Sequence, residues 1–226
     1  MPIDTPARTE VLRRIRTALG DETAPASATL SADWHAIPRT YQRAATLGRR
    51  AILELLDDRL RDYDANVVHV SAADLASTIA ALLAARGNPR MVAPCGFAEG
   101  LAADFQQTLP EGLDVTLDDN LSYDQLNAIE GVLTTAQIAI ATTGTLVLQN
   151  VPGQGRRAAT LIPDYHLCIV REQDVVETVP EAFARLVETA ALATTFISGP
   201  SATADIEMTR IKGVHGPRFL DVILVR

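Results

Sequence analysis

The feature that most constrains this sequence is an alternation of short β-branched runs with stretches of helical periodicity. Strands are predicted at Val67–Val70, Arg90–Ala93 and Leu113–Leu117, with helices between them at Ala73–Arg86 and Gly96–Gln107. This alternation indicates parallel βαβ units, because a parallel pair of strands needs a long crossover connection. The sequence therefore predicts an α/β fold with an open, mostly parallel, Rossmann-like sheet flanked by helices.

The C-terminal half of the chain continues this alternation and extends the same sheet. The predicted elements are helices at Tyr123–Glu130 and Glu181–Ala193 and strands at His166–Val170, Phe196–Ser198 and Asp221–Val225. His69 and His166 fall within strands and are interpreted as core or sheet-face residues.

The N-terminal part has a different pattern. A helix is predicted to start at Pro6, because proline suits the first helical position. Residues 21–38 are rich in Ala, Ser, Thr and Pro and are predicted to be an irregular connector, followed by a second helix over Thr40–Asp62. We therefore divide the chain into an N-terminal helical appendage with its connector, residues 1–44, and an α/β domain, residues 45–226.

The composition narrows the range of partners and cofactors. The chain of 226 residues has a net charge of −8, which argues against nucleic acid or anionic lipid as a partner. Its two cysteines, Cys95 and Cys168, are too few for an iron–sulfur cluster, which needs about four thiolates, and no dinucleotide-binding glycine fingerprint is present. The sequence shows neither a signal peptide nor a membrane span. We expect a cytoplasmic protein that by itself binds no metal and no redox cofactor.

The first candidate anion-binding motif interrupts an apolar run. Thr142, Thr143, Gly144 and Thr145 form a tight turn whose backbone N–H groups and hydroxyls can converge on an anion, and Gly144 permits a positive φ. A hairpin corner without ligand is the alternative interpretation.

The second motif, Asn150–Arg157, contains two glycines followed by two arginines. A flexible backbone next to a guanidinium fork suits a carboxylate or a phosphate, and Arg156 is the candidate ligand-binding arginine. The alternative interpretation is a solvated surface turn.

The third motif follows the predicted strand Phe196–Ser198. Ser201 and Thr203 are candidate ligand-binding hydroxyls, and Asp205 and Glu207 supply carboxylates. In open α/β sheets, ligands bind at the carboxyl ends of the strands, which is where this segment is expected to lie. Helix capping is the alternative role for these residues.

The fourth motif precedes the last strand and contains a histidine between glycines. Histidine is the side chain type that commonly transfers protons near neutral pH, so His215 is the first candidate for proton transfer, with Asp205 or Glu207 orienting it. Gly213 and Arg218 complete the motif, and Arg218 is a second candidate to steer a carboxylate. A structural turn is the alternative. Together the four motifs predict one crevice that holds a small carboxylate or phosphate.

Several of these segments together resemble one family. The sequences at 131–136, 138–148, 161–166, 199–207 and 213–217 are similar to the ordered signatures of the lactate-utilisation protein C family, the LUD domain. The resemblance covers roughly residues 45 to 226. It implies a fold related to ribose-5-phosphate isomerase, glucosamine-6-phosphate deaminase and the CoA transferases. It also implies a role in oxidising L-lactate to pyruvate beside an iron–sulfur protein and a cysteine-rich protein.

One residue departs from the family pattern. Thr142 stands where the family commonly has a glutamate, so no carboxylate role is carried over to this position. Three functions stay open on the sequence: a cluster-free subunit of a lactate-oxidising system whose partners hold the iron–sulfur clusters, a stand-alone enzyme acting on a sugar phosphate or acyl-CoA, and a carboxylate-binding or scaffold module.

Overall fold

The structure, a computed structural model, divides into two compact units, one ending at Tyr41 and the other starting at Gln42. It describes the residues 6–20, 27–97, 113–203, 211–213 and 215–226. The first unit contains the helices α1 (Pro6–Leu19) and α2 (Ser27–Ala36). Helix α1 starts at the predicted proline and ends before Gly20, whose φ of 72° is left-handed.

Helix α2 corrects the prediction of an irregular connector over residues 21–38. The segment between Pro25 and Pro38 contains neither proline nor glycine, so nothing in its backbone chemistry interrupts a helix. Its serines and threonines suggested a loop, but these residues lower helix propensity by only a few tenths of a kcal/mol, on the order of 0.5.

Four helices of the second unit lie in the described residues: α3 (Arg49–Asp62), α4 (Leu75–Ala85), α5 (Tyr123–Asn127) and α6 (Val179–Arg185). Its strands are β1 (Asn66–Val70), β2 (Met91–Pro94), β3 (Val115–Asp118), β4 (Gly131–Thr135), β5 (Ile138–Ile140), β6 (Thr145–Gln149), β7 (Tyr165–Arg171), β8 (Val175–Val176), β9 (Thr194–Ile197), β10 (Ala202–Thr203), β11 (Ile211–Lys212) and β12 (Phe219–Val225). The predicted helix at Gly96–Gln107 falls almost entirely outside the described residues. No helix of the described segments is long and apolar enough to cross a lipid bilayer.

Six strands form one parallel sheet in the order β1-β12-β7-β4-β2-β3. Every neighbouring pair is parallel, which confirms the predicted fold class. Strand β4 was not among the predicted strands, because its sequence Gly-Val-Leu-Thr-Thr is short and starts with a residue that disfavours strands.

A second sheet of four strands has the order β8-β5-β6-β9. Its centre is the hairpin of β5 and β6, and β9 pairs antiparallel with β6. The predicted strand at Phe196–Ser198 therefore belongs to this sheet as β9 and not to the parallel sheet. Its sequence pattern gave a strand, but a pattern of apolar residues does not reveal which neighbour the strand pairs with. Strands β10 and β11 pair only with each other, as an antiparallel ribbon.

Both faces of the parallel sheet are covered. Successive residues of β7 alternate between two buried clusters, because side chains of a strand point to opposite faces. Cys168 and Val170 pack with α3 and the four-stranded sheet, whereas Leu167 and Ile169 pack with α4. Helix α6 covers the outer face of the four-stranded sheet. The unit is therefore layered as α4, parallel sheet, α3 with the small sheet, and α6.

The start of α3 depends on a buried carboxylate. Glu177 accepts the backbone N–H of Leu47 at 2.8 Å and that of Thr46 at 2.7 Å, and these bonds hold its pKa below the usual range. Because this contact fixes the preceding segment in a non-helical path, the helix predicted over Thr40–Asp62 begins only at Arg49. The helix predicted over 181–193 likewise ends early, at Arg185, with a 3₁₀ turn after it.

A buried ion pair ties α4 to two neighbouring strands of the parallel sheet, β12 and β7. Arg86, at the end of α4, donates two hydrogen bonds to Asp221 of β12, at 2.8 and 3.1 Å. The hydroxyl of Tyr165 in β7 donates to the same carboxylate at 2.8 Å, and the guanidinium lies 4.3 Å from the Tyr165 ring centre. Only 2% of the Asp221 side chain is exposed, so Arg86 is the cation that compensates its charge.

We predict that Arg86→Met lowers the free energy of unfolding by about 3 kcal/mol, because it leaves a buried carboxylate without its cation. Urea denaturation followed by circular dichroism measures this loss. The matched control is Arg185→Met: Arg185 is exposed and makes one hydrogen bond of 3.5 Å, so its loss should stay within about 0.5 kcal/mol. Equal losses in the two variants would contradict a stabilising role for the Arg86–Asp221 pair.

Candidate functional site

The carboxyl edge of the parallel sheet is covered by the segment 150–157. The amide of Gly153 donates to the carbonyl of Cys95, after β2, and its carbonyl accepts from Thr135 of β4 at 2.9 Å. A Cβ at Gly155 would lie 2.7 Å from the ring of Pro94, and one at Gly96 would lie 2.5 Å from a proline of the segment. The glycines therefore allow close packing, and the segment is neither a solvated turn nor an open anion loop.

Arg156 is part of this cover. It holds Asp118, at the end of β3, through two hydrogen bonds of 2.9 Å, and it also donates to the carbonyl of Leu121. Only 2% of the Asp118 side chain is exposed. The structure thus places Arg156 in a buried ion pair at the carboxyl edge of the sheet and does not bring it together with the other candidate residues.

The threonine-rich motif forms the corner of the β5–β6 hairpin. Gly144 has a φ of 57°, and a Cβ there would lie 2.9 to 3.1 Å from Arg59 of α3. The glycine is needed for the left-handed turn and for the approach of the helix. The side chains of Thr142 and Thr143 are exposed, and the amide of Thr142 donates to the carbonyl of Glu177. The alternative interpretation, a hairpin corner, describes this backbone.

The hydroxyls of the motif are nevertheless connected by hydrogen bonds to a residue that lines a cleft. The oxygen of Thr143 lies 2.7 Å from that of Thr145, which lies 2.8 Å from the hydroxyl of Ser198. Thr145 is nearly buried, whereas Ser198 lines the cleft. Thr145 therefore supports the cleft indirectly, by holding the Ser198 hydroxyl. Ser198 was not among the site residues predicted from the sequence.

The cleft itself has a volume of about 300 Å³ and lies at the amino ends of β7 and β12, beside the end of β9. This cleft does not lie at the carboxyl edge of the parallel sheet, since β9 belongs to the other sheet. A second cavity, of about 280 Å³, lies at the carboxyl ends of β4 and β7, beside Gln154 and Arg171. The polar side chains that line the cleft are Arg157, Thr160, His166, Ser198, Ser201 and His215.

Ser201 organises the predicted third and fourth motifs. Its amide donates to Pro217 at 2.8 Å, its carbonyl accepts from Gly213 at 2.8 Å, and its hydroxyl accepts from the amide of His215 at 3.1 Å. The ring of His215 lines the cleft and the residue is exposed. The structure thus brings Ser201 and His215 together, as the sequence analysis predicted.

The remaining candidates lie apart from the cleft or outside the described residues. Thr203 pairs with Ile211 in the ribbon of β10 and β11 and does not line the cleft. Arg218 forms an exposed ion pair with Asp164. Asp205 and Glu207 fall outside the residues that the structure describes, so their role in orienting His215 stays a prediction.

Arg157 is the cation of the cleft. Its guanidinium donates to the hydroxyl and the carbonyl of Thr160, at 3.2 and 3.3 Å, and burial lowers its pKa. In the part of the chain that the structure describes, no carboxylate pairs with it. Arginine stays protonated in proteins, so this charge favours an anionic ligand. The two adjacent arginines were the signal in the sequence, but the sequence could not tell which of them faces a cleft.

His166 forms the inner wall of the cleft. The residue is buried, and its Nε2 lies 2.7 Å from the hydroxyl of Thr134. Burial, together with the nearby charge of Arg157, lowers the pKa of His166 to about 3. The ring is therefore neutral at physiological pH and can donate or accept a hydrogen bond. The sequence pattern predicts a core or sheet-face residue at this position.

The arrangement combines one guanidinium, one neutral imidazole, one exposed imidazole and three hydroxyls. Such a set can bind a small anion and hydrogen-bond a second polar group of it. Within the described residues, no group of three or more His, Cys, Asp or Glu side chains is placed to hold a metal ion.

Comparisons with known proteins support the resemblance seen in the motifs. The family model of the LUD domain matches residues 53–225. Lactate utilization protein C of Deinococcus radiodurans is 44% identical over 192 residues, which cover 82% of this chain and 84% of that protein. The protein of the same name from Anoxybacillus flavithermus is 30% identical over 175 residues, covering 74% and 76%. A crystal structure of a DUF162 family protein from Deinococcus radiodurans matches with a TM-score of 0.66 and 39% identity, covering 80% of this chain and 99% of that one.

The neutrality of His166 gives a pH prediction. An unfolded histidine has a pKa of about 6.5, so below that pH the unfolded chain takes up a proton that the folded chain excludes until about pH 3. Acid therefore destabilises the fold through this residue. His166→Gln removes the effect, so its loss of unfolding free energy from pH 7 to pH 5 should be about 2 kcal/mol smaller than that of the wild type.

Urea denaturation at the two pH values measures this difference. His35→Gln is the control, because His35 is exposed on α2, and this variant should lose as much stability as the wild type. An equally steep loss in His166→Gln would show that the folded protein protonates His166 as readily as the unfolded chain does.

Proposed function

Because the chain belongs to the LUD domain family, we propose that it acts in lactate utilisation, as a cluster-free subunit that binds a small carboxylate at Arg157. The family membership supports the process. The observation that supports the binding role is a guanidinium in a cleft with no carboxylate partner among the described residues, flanked by Ser201 and His215.

The size and charge of the cleft favour a small carboxylate over the larger ligands considered from the sequence. Its volume of about 300 Å³ lies at the lower end of the range for ligand sites, which is roughly 300 to 1,000 Å³. An acyl-CoA carries several phosphates and a long pantetheine arm. Arg157 is the arginine that lines this cleft, and one planar fork matches the two oxygens of one carboxylate.

The redox step is assigned to partners. Oxidising lactate to pyruvate removes two electrons, which a flavin, nicotinamide, quinone or metal centre must receive. This sequence has two cysteines and no dinucleotide fingerprint, so its own residues supply neither a cluster nor a Rossmann cofactor site. An iron–sulfur protein and a cysteine-rich protein are the proposed partners. His215 is the proposed proton-transfer residue of this chain, since its ring is exposed in the cleft.

The first test is growth on L-lactate. In a strain lacking this chain, the wild type should restore growth and Arg157→Met should not, because the carboxylate loses its cation while the fold keeps a side chain of similar length. Arg14→Met is the matched control and should restore growth, since Arg14 is 75% exposed on α1. Normal growth with folded Arg157→Met would overturn the carboxylate-binding role, and growth on L-lactate without the chain would overturn the role in lactate utilisation.

The second test concerns electron transfer. The purified chain should be colourless and should not reduce a dye with L-lactate, because its sequence provides no redox centre. Dye reduction should appear when the cluster-bearing partners are added. Lactate-dependent reduction by the isolated chain would show that it is an active dehydrogenase and not an accessory subunit.

A further inference from the structure

We propose that His166 distinguishes a 2-hydroxy or 2-oxo carboxylate from a plain carboxylate in the cleft, with Thr134 as its positioning residue. In this assignment, which rests on the proposed function, Arg157 binds the carboxylate and the His166 ring bonds the oxygen on the next carbon. A 2-hydroxy acid places those two oxygen-bearing groups on adjacent atoms, so one small cleft holds both.

The position of His166 follows from the strand that carries it. As the second residue of β7, it lies at the amino end of the parallel sheet, where the cleft opens. Its side chain shares a face with Cys168, two residues on, and the neighbouring strand β4 supplies Thr134 on that face. A histidine one residue earlier or later would point to the α4 side of the sheet and away from the cleft.

Thr134 fixes the ring. Its hydroxyl lies 2.7 Å from Nε2 and is fully buried, so this bond fixes the ring's rotation. The ring has no second hydrogen-bond partner among the described residues, which leaves Nδ1 as the atom available to a ligand. A general base is the other role that a histidine could have here. It is disfavoured because a ring with such a low pKa takes up a proton poorly.

The hydroxyl of Thr134 both donates and accepts, and this gives the pair two states. When Thr134 donates to Nε2, the proton of the neutral ring is on Nδ1, which then donates to the carbonyl of a 2-oxo acid. When Thr134 accepts from Nε2, Nδ1 carries the lone pair and accepts from the hydroxyl of a 2-hydroxy acid. The same two residues therefore recognise the reduced and the oxidised forms without a change in charge.

The neutral ring also limits what the cleft accepts. Burial and the charge of Arg157 keep His166 unprotonated, so it adds no second positive charge to the cleft. A monoanion is then matched by one guanidinium. Selection between carboxylates comes from a neutral hydrogen bond, whose loss corresponds to roughly a tenfold change in affinity.

The test is calorimetric titration of the full chain with pyruvate, L-lactate and propionate, the last lacking the oxygen on the second carbon. The wild type should bind pyruvate and L-lactate about tenfold more tightly than propionate. Thr134→Val keeps the shape and removes the hydroxyl, so it should lower the affinity for the first two acids to that for propionate. Thr134→Ser should restore the preference, and His166→Phe should lose it.

Controls separate recognition from folding. Thr116→Val changes an exposed threonine of β3 and should retain the wild-type preference. Arg157→Met should lose binding of all three acids. Equal affinities of the wild type for the three acids, no binding of any of them, or a preference that survives in Thr134→Val or fails to return in Thr134→Ser would each overturn the assignment.

These outcomes are distinct from a failure of the proposed function. Growth on L-lactate that needs the chain, combined with calorimetry that shows no preference, would overturn the role of His166 alone. A clear preference for the 2-oxygen together with growth that does not need the chain would support recognition by His166 while overturning the role in lactate utilisation.

Discussion

The packing of the segment 150–157 against the carboxyl edge of the parallel sheet is the contact on which the geometry of the candidate site depends. Gly155 meets Pro94 so closely that any side chain would collide, and Arg156 neutralises the buried carboxylate of Asp118. Most open α/β sheets bind ligands at this edge, and here the segment occupies the ends of β2 and β3, while a cavity of about 280 Å³ remains at the ends of β4 and β7. The same pairing turns the next residue, Arg157, to the cleft at the amino ends of β7 and β12. One arginine of the pair stabilises the fold, and its neighbour remains for an anion.

The four-stranded sheet provides the other wall of the cleft. Its hairpin approaches α3 at Gly144. The hydroxyl of the adjacent Thr145 is hydrogen-bonded to that of Ser198, at the end of β9. The motif at 142–145 resembles an anion-binding loop in the sequence. In the structure it is the corner of the hairpin, and its Thr145 hydroxyl hydrogen-bonds Ser198, which lines the cleft. This hydrogen bond matters for stability, because a buried hydroxyl without a partner destabilises the fold by on the order of 1 to 3 kcal/mol. Thr145 avoids that cost through Ser198.

The sequence predicted the class of fold and much of the site, and its failures have identifiable physical causes. The parallel sheet followed from local periodicity, and Ser201 and His215 were correctly expected to meet. The assignment of β9 to the parallel sheet failed because strand pairing is a non-local property that apolar alternation does not encode. The sequence named Arg156 as the candidate arginine and could not show that Arg157 is the one at the cleft, since the path of Arg156 depends on the carboxylate of Asp118, 38 residues away in the chain. His166 is buried, in line with its interpretation as a core or sheet-face residue, but the sequence did not show that it borders a cleft.

The charges of the cleft fit the proposed role of this chain as a carboxylate-binding subunit without a cluster of its own. A charged histidine beside Arg157 would favour dianions such as phosphate, whereas a neutral one leaves a single positive charge and a directional hydrogen bond. His166 is kept neutral by two independent features, its burial and the guanidinium that the ligand itself needs. When a carboxylate neutralises Arg157, the second of these features weakens, but the burial of His166, which is already almost complete, persists. The ring therefore stays a neutral hydrogen-bonding group in both the free and the occupied cleft, so that the proposed recognition of the second oxygen requires no net uptake of protons.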